Sequence, residues 1–201
     1  MTTDSKTVAF TAMADGTRED YEFLSGLEEG ELSGFSDRVL GWLRTMDDSV
    51  GYQISRLEHS LQAATRAHRA GEDEETVVCV LLHDIGDYLA PANHSEVAAA
   101  VLRPYVSEKN YWIVKHHGVF QGVYYFHFLG ADPNARDRWK DHPYYQATVD
   151  FCANYDQNSF DPASGARHLQ DVYMEYDDLM ARRRVLAGTH KPAPSTGGEL
   201  A

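Results

Sequence analysis

Cysteine is scarce in this sequence, and long apolar runs are missing. Its two cysteines, Cys79 and Cys152, lie inside apolar segments, which is typical of buried free thiols in a reducing compartment. No apolar run approaches the roughly 20 residues that a membrane helix needs. Residues 1–6 lack the basic stretch followed by an apolar one that marks a secretion signal. The sequence therefore predicts a cytoplasmic protein with no membrane partner.

Basic residues are also few. The sequence has 18 Lys and Arg against 31 Asp and Glu, which gives a formal net charge of −13 at pH 7. A surface of this sign repels the phosphate backbone, so we expect no nucleic-acid partner. A small substrate is not excluded, because a pocket can carry a charge opposite to that of the whole surface. The sequence leaves the oligomeric state open.

Apolar residues recur at helical spacing through most of the chain. Residues 54–70 predict an amphipathic helix that Gly71 is placed to end. Residues 76–82 are almost wholly apolar, and periodicity alone allows a strand or a helix there; the acidic lead-in 72–75 favours a fully buried helix. Further helices are expected from about residue 17 and at 35–46, 94–102, 109–120, 143–154 and 166–184, with 123–129 as a possible continuation. The predicted fold class is all-α.

We expect a single domain over residues 17–187. The small and polar residues 1–16 are expected to form a flexible N-terminal tail. Residues 188–201, rich in proline and glycine, are expected to form a flexible C-terminal tail.

Ionisable side chains repeatedly fall where the chain is expected to be buried. His59 lies mid-helix, His83-Asp84 ends the apolar helix, and the others are His94, the pair His116-His117, and Asp156. Burying each costs several kcal/mol unless it is paired or bound to a metal. One buried histidine is usually a satisfied core residue, but five such places in one small domain favour a metal site. Imidazole and carboxylate suit divalent iron, manganese or zinc.

The tetrad His83-Asp84-Ile85-Gly86, with one histidine upstream and one aspartate far downstream, resembles the HD-domain superfamily. The resemblance implies a helical bundle with the metal site in its core. One-metal HD phosphohydrolases would need only His59, His83, Asp84 and Asp156. The additional histidines resemble the dinuclear members, which implies that Asp84 bridges two metals. His94 and His117 would complete the second metal, with His116 as the alternative to His117.

Two segments resemble the diiron oxygenase branch of this superfamily. Residues 57–64 resemble the hydroxyphosphonate-cleaving oxygenases, and residues 151–156 resemble myo-inositol oxygenase. The resemblance implies two iron ions (Fe²⁺/Fe³⁺), O2 as co-substrate, and oxidative cleavage of a C–P or C–C bond next to a hydroxyl in a small hydroxyphosphonate or polyol-like substrate. The alternatives are a metal-dependent HD phosphohydrolase or phosphodiesterase, and a non-catalytic metal-holding domain.

The expected substrate-binding residues depart from those of the relatives. Asp87 stands where the oxygenases have lysine or histidine, and Gln121 stands where the phosphonate enzymes have lysine. We expect Asp87, Gln121 and Tyr124 to contact a substrate that is neutral or bears an ammonium group, with Lys115 available for an anion. Arg136, Arg138 and Lys140 are further candidates for an anion. Asp87 could instead pair with an arginine or cap a helix.

The aromatic run around Tyr124 has two interpretations. It could form a wall for a cationic group, or it could be core packing. The other members are Phe120, Tyr125, Phe126 and Phe128. Residues 17–46, which carry Glu19, Tyr21 and Glu22, could close over the site as a lid.

Overall fold

The computed structural model describes residues 6–48 and 51–166, and those ranges contain seven α-helices and no strand. The predicted all-α fold is therefore confirmed for the described residues. The predicted helix 166–184 and the tail 188–201 fall almost entirely outside them. The helices are α1 (Arg18–Ser33), α2 (Phe35–Arg44), α3 (Arg56–Arg69), α4 (Glu74–Leu82), α5 (His94–Leu102), α6 (Glu108–Gln121) and α7 (Tyr145–Phe151).

The chain divides into two units, residues 1–39 and 40–201. The first unit contains α1 and the beginning of α2. Thr17 and Asp20 open α1 with reciprocal hydrogen bonds: the Thr17 N–H donates to the Asp20 carboxylate at 3.0 Å, and the Asp20 N–H donates to the Thr17 hydroxyl at 3.2 Å. The backbone hydrogen bond from Thr17 lowers the pKa of Asp20. The predicted start of a helix at about residue 17 is confirmed.

The second unit holds the core. The hydroxyl of Ser55 caps α3, and Gly71, with φ of +80°, follows its end as predicted. Asp73 caps α4 by accepting from the Thr76 N–H at 2.7 Å. Residues 77–82 are all buried, so the prediction of a buried helix is confirmed. Helix α4 contacts both α3 and α6, and α6 in turn contacts α5 and α7.

Three details differ from the prediction. The sequence also predicts a capping box, in which Asn93 caps α5 and Glu96 lies three residues later. Asn93 does precede α5, but its side chain makes no capping hydrogen bond, because its backbone (φ −144°, ψ 32°) is not in the extended conformation usual for a cap. Residues 123–129 do not form an α-helix but two short 3₁₀ segments, Gly122–Tyr124 and Phe126–Leu129, separated by Tyr125. The predicted helix 143–154 is α7 followed by a π-helical turn, Cys152–Asp156.

Among the described helices, none combines the length and the apolar character that crossing a membrane would require.

Candidate metal centre

Six side chains that the sequence singled out converge in the second unit. They come from α3, the end of α4, the start of α5, the middle of α6 and the π-helical turn after α7. All are buried except His94, whose side chain is 25% exposed. The six are His59, His83, Asp84, His94, His117 and Asp156.

Asp84 lies at the centre of this cluster and faces different imidazoles with its two oxygens. Its Oδ2 lies 3.6 Å from His59 Nε2 and 3.5 Å from His83 Nε2. Its Oδ1 lies 3.1 Å from His117 Nε2 and 3.5 Å from His94 Nε2. Asp156 joins the first pair, at 3.4 Å from His59 Nε2 and 3.6 Å from His83 Nε2. The cluster therefore has two halves that share one carboxylate.

Main-chain carbonyls orient three of the four imidazole rings. The Nδ1 atoms of His59, His83 and His117 lie 2.9, 2.7 and 2.7 Å from the carbonyl oxygens of Ser159, Val80 and Val114, respectively. A carbonyl oxygen only accepts, so each Nδ1 carries the proton. In the neutral ring Nε2 is then a bare lone pair, and it is directed into the cluster.

These lone pairs face one another at short range. His59 Nε2 and His83 Nε2 are 3.3 Å apart, and so are His94 Nε2 and His117 Nε2. Two acceptors at this distance, beside two carboxylates, repel unless a cation or added protons lie between them. Imidazole and carboxylate are the ligands of iron, manganese and zinc. The donor set therefore fits bound metal ions.

The pKa shifts in the cluster result from two opposing effects, which are burial and the attraction between imidazoles and carboxylates. Burial acts to lower the pKa of His59, but the hydrogen bond to Asp156 and the charges of both aspartates outweigh it and raise that pKa. The pKa of His83 is raised in the same way, against burial, by the charges of Asp84 and Asp156. Burial acts to raise the pKa of both aspartates, but the imidazoles outweigh it and lower both. The two aspartates thus favour positive charge on the imidazoles beside them, as they would favour a cation bound there.

The neighbouring histidine His116 points elsewhere. Its ring centroid lies 4.3 Å from that of Trp112 and 4.6 Å from that of Trp139. Burial and the positive charges of Lys115, Arg138 and His142 lower its pKa to about 4. Of the two candidates for one ligand position, His117 is the one that faces Asp84.

Asp87 lies at the edge of the cluster with two partners. Its Oδ2 contacts Arg56 Nη1, and its Oδ1 lies 3.1 Å from His94 Nδ1. Pairing with an arginine, one of the interpretations left open by the sequence, is what these contacts show. Burial and the charge of Asp84 raise the pKa of Asp87, opposed by His94 and Arg56.

A cavity of about 470 Å³ opens onto the cluster. Asp87, Gln121 and Tyr124, all predicted to contact substrate, line it, and so does Tyr125. The Oε1 atom of Gln121 is buried and has no hydrogen-bond partner among the described residues. Phe120, in contrast, is fully buried in the core, and Phe128 is 79% exposed. Within the aromatic run, therefore, Tyr124 and Tyr125 line the cavity, Phe120 packs in the core, and Phe128 does neither.

The cavity also contains residues that the sequence did not indicate. Arg56, Tyr52 and Phe160 line it, and the Phe160 ring stacks on His59 with centroids 4.3 Å apart. Arg56 precedes the recognisable motif at the first turn of α3, and Phe160 lies about 100 residues after His59. The sequence offered one indication of Arg56, which was the possibility that Asp87 forms an ion pair with an arginine.

The predicted anion-binding residues lie away from this cavity. Lys115 and Arg138 line a neighbouring cavity of about 560 Å³, which shares Pro91, His94, Gly118 and Tyr125 with the first. Arg136 and Lys140 line neither of the two. Glu19, Tyr21 and Glu22 belong to the first unit, and their role as a lid stays a prediction.

Residues 56–141 match the family model of the HD domain. A 97-residue segment is 30% identical to [1-hydroxy-2-(trimethylamino)ethyl]phosphonate dioxygenase (glycine-betaine-forming) from Leisingera caerulea. That segment covers 43% of this chain and 47% of the relative, so the chain matches about half of the relative's length. The helical bundle around the His and Asp cluster is consistent with these matches. The resemblance to HD-domain proteins, including an oxygenase, is thereby confirmed.

Proposed function

We propose that this protein is an iron-dependent oxygenase. It uses two iron ions and O2 to cleave the C–P or C–C bond next to a hydroxyl in a small substrate. One observation carries the proposal: the two oxygens of Asp84 face two different pairs of imidazole nitrogens, at 3.1–3.6 Å. A carboxylate placed in this way could contribute one oxygen to each of two metal ions.

The ligands divide between the two positions as follows. His59, His83 and Asp156 would hold the first iron together with Asp84, and His94 and His117 would complete the second. The Nδ1 contacts leave each Nε2 available as a ligand. Bound iron supplies the redox and Lewis-acid chemistry that a reaction with O2 needs. The protein's own residues position the substrate and shape the cavity.

The cavity suits a zwitterionic hydroxyphosphonate. Among its described lining residues, Arg56 is the one lysine or arginine, and its several donors can bind an anionic group while it contacts Asp87. Four aromatic rings, those of Tyr52, Tyr124, Tyr125 and Phe160, also line the cavity, and such rings attract an ammonium group. The substrate named for the relative from Leisingera caerulea combines these groups.

The reaction balances with O2 alone. One hydroxyphosphonate and one O2 give one carboxylate, one inorganic phosphate and one proton. The C–P bond is broken, and both atoms of O2 are retained in the products. Gln121 Oε1, which has no partner among the described residues, is available to accept a hydrogen bond from the substrate.

A metal-dependent phosphohydrolase is the second candidate. The half formed by His59, His83 and Asp156 is complete without the other two histidines, and a single metal there could activate water for attack on a phosphate ester.

One iron-loaded preparation separates these functions. A 1-hydroxyphosphonate bearing a trimethylammonium group is added in an oxygen electrode, and O2 consumed and phosphate released are both measured. We expect equal amounts of each, and no release under anaerobiosis. Hydrolysis of a phosphate ester without O2 would identify the hydrolase instead. Inactivity in both assays would leave a non-catalytic metal-holding domain.

Metal content provides a further test. We expect about two irons per chain after anaerobic loading and a mixed-valent EPR signal after partial oxidation. His94→Ala should lose one iron and that signal, whereas His127→Ala, at an exposed histidine, should keep both. A single tightly bound ion that His94→Ala leaves unchanged would contradict the two-metal site.

We also propose a cytoplasmic location, which the two buried free thiols support, since a reducing compartment preserves thiols of this kind. Cell fractionation with antibody detection tests this location.

A further inference from the structure

His94 is held differently from the other three histidines of the cluster. Main-chain carbonyls lie within 2.7–2.9 Å of the Nδ1 atoms of His59, His83 and His117. The carbonyl oxygen of Pro91 lies 3.4 Å from His94 Nδ1, whereas Asp87 Oδ1 lies at 3.1 Å. The ring of His94 is thus oriented mainly by a side chain. It is also the most exposed of the four.

One turn of the chain supplies carboxylates to both nitrogens of His94. The Asp87 N–H donates to the Asp84 carbonyl at 2.9 Å, which closes a tight turn after α4. Asp84 then faces Nε2 at 3.5 Å, and Asp87 faces Nδ1 at 3.1 Å. Gly86 lies between them, and the backbone of His94 packs against its Cα, because a Cβ there would lie 2.8 Å from His94 Cα.

Arg56 approaches this pair of carboxylates. Its Nη1 contacts Asp87 Oδ2 and lies 3.8 Å from Asp84 Oδ2. The side chain of Asp87 is only 10% exposed, so an unpaired charge there would be costly. Arg56 offsets the repulsion between two nearby carboxylates and fixes the orientation of Asp87.

We propose that Asp87 is a positioning residue that orients His94 as a ligand of the second metal ion, with Arg56 as its counter-ion. The inference rests on the two-metal site of the proposed function. A carboxylate on the far nitrogen of a ligating histidine fixes its tautomer and raises its basicity, and removal of such a partner typically weakens metal binding about 10–100-fold. The affinity for the second metal therefore depends on Asp87, and the affinity for the first does not.

Anaerobic calorimetric titration of the metal-free chain with Fe²⁺ alone tests the proposal, with iron per chain measured after desalting. We expect Asp87→Ala to weaken one of two sites about 10–100-fold and to leave the other at its wild-type affinity. The mixed-valent EPR signal should fall with occupancy of the weakened site. Asp141→Ala, at an exposed aspartate, is the matched control and should retain both sites.

If Asp87→Ala prevents folding by removing one of the carboxylates that Arg56 contacts, Arg56→Met/Asp87→Ala removes both charges and should show the same loss at one site. Two wild-type affinities in either variant, with only the Michaelis constant raised, would overturn the proposal and assign Asp87 to the substrate. A wild-type chain that binds one metal ion would instead contradict the proposed two-metal function.

Discussion

Replacing Gly86 by alanine should disturb the His94 half of the cluster far more than the rest of the fold. An ideal Cβ at Gly86 would collide with the carbonyl oxygen of His94 and would lie 2.8 Å from its Cα. Restoring an ordinary contact of 3.4 Å to this Cα alone requires a shift of about 0.6 Å at the first residue of α5, and the carbonyl oxygen requires more. Metal–ligand distances are held within about 0.2 Å, so this shift is about three times the tolerance.

The expected result is a selective loss. Overpacking of this kind costs about 1–3 kcal/mol, which lowers the melting temperature by about 2–12 °C in a chain of this size. In anaerobic Fe²⁺ titration, Gly86→Ala should retain the site that contains His59 and His83. Binding at the site that contains His94 should weaken by about tenfold or more.

Gly41→Ala is the matched control. Gly41 lies within α2, and a Cβ there would have no neighbour within 4 Å. This substitution should leave metal binding unchanged and stabilise the helix by about 0.5–1 kcal/mol. If Gly86→Ala binds the second iron as tightly as the wild type, the close approach of α5 to Gly86 does not set the position of His94, and the reasoning is refuted.

Three further outcomes are expected. His117→Ala should lose one iron per chain, whereas His116→Ala, whose ring packs on tryptophans, should keep both; equal loss in the two would contradict the orientation described here. Cys79 and Cys152 should resist alkylation at pH 8 until the chain is unfolded, because burial raises the pKa of both thiols; rapid labelling of the native protein would contradict this. Asp73→Ala should remove the cap of α4, cost about 0.5–2 kcal/mol and lower the melting temperature by several degrees in a thermal melt; an unchanged melting temperature would show that the cap contributes nothing.

The sequence predicted the helices and most of the cluster because both depend on local pattern. Residues 77–82 are apolar without interruption, and an acidic lead-in identified them as a buried helix. His83 and Asp84 follow that run directly, so their burial could be inferred from their neighbours. The choice of His117 over His116 agrees with the orientation seen here. Predicting the all-α fold class required no more than these local features.

The lining of the cavity could not be predicted in the same way. Phe160 reaches His59 only through the path of the chain after the π-helical turn, which no local pattern encodes. Lys115 lies two residues before His117, and residues at that spacing point to nearly opposite sides of a helix, so it lines the neighbouring cavity. Arg56, at the first turn of an amphipathic helix, has the pattern of a solvated charge. Its role depends on Asp87, which is 31 residues away.

The way in which the four imidazoles are anchored affects how this site can diverge. Every amino acid carries a main-chain carbonyl, so the orientation of His59, His83 and His117 does not depend on which side chains occupy positions 159, 80 and 114. The orientation of His94 depends on the identity of residue 87. A single codon change there can alter one half of the cluster and leave the other intact. Substitution at position 87 can therefore change the half that contains His94 independently of the half that contains His59 and His83.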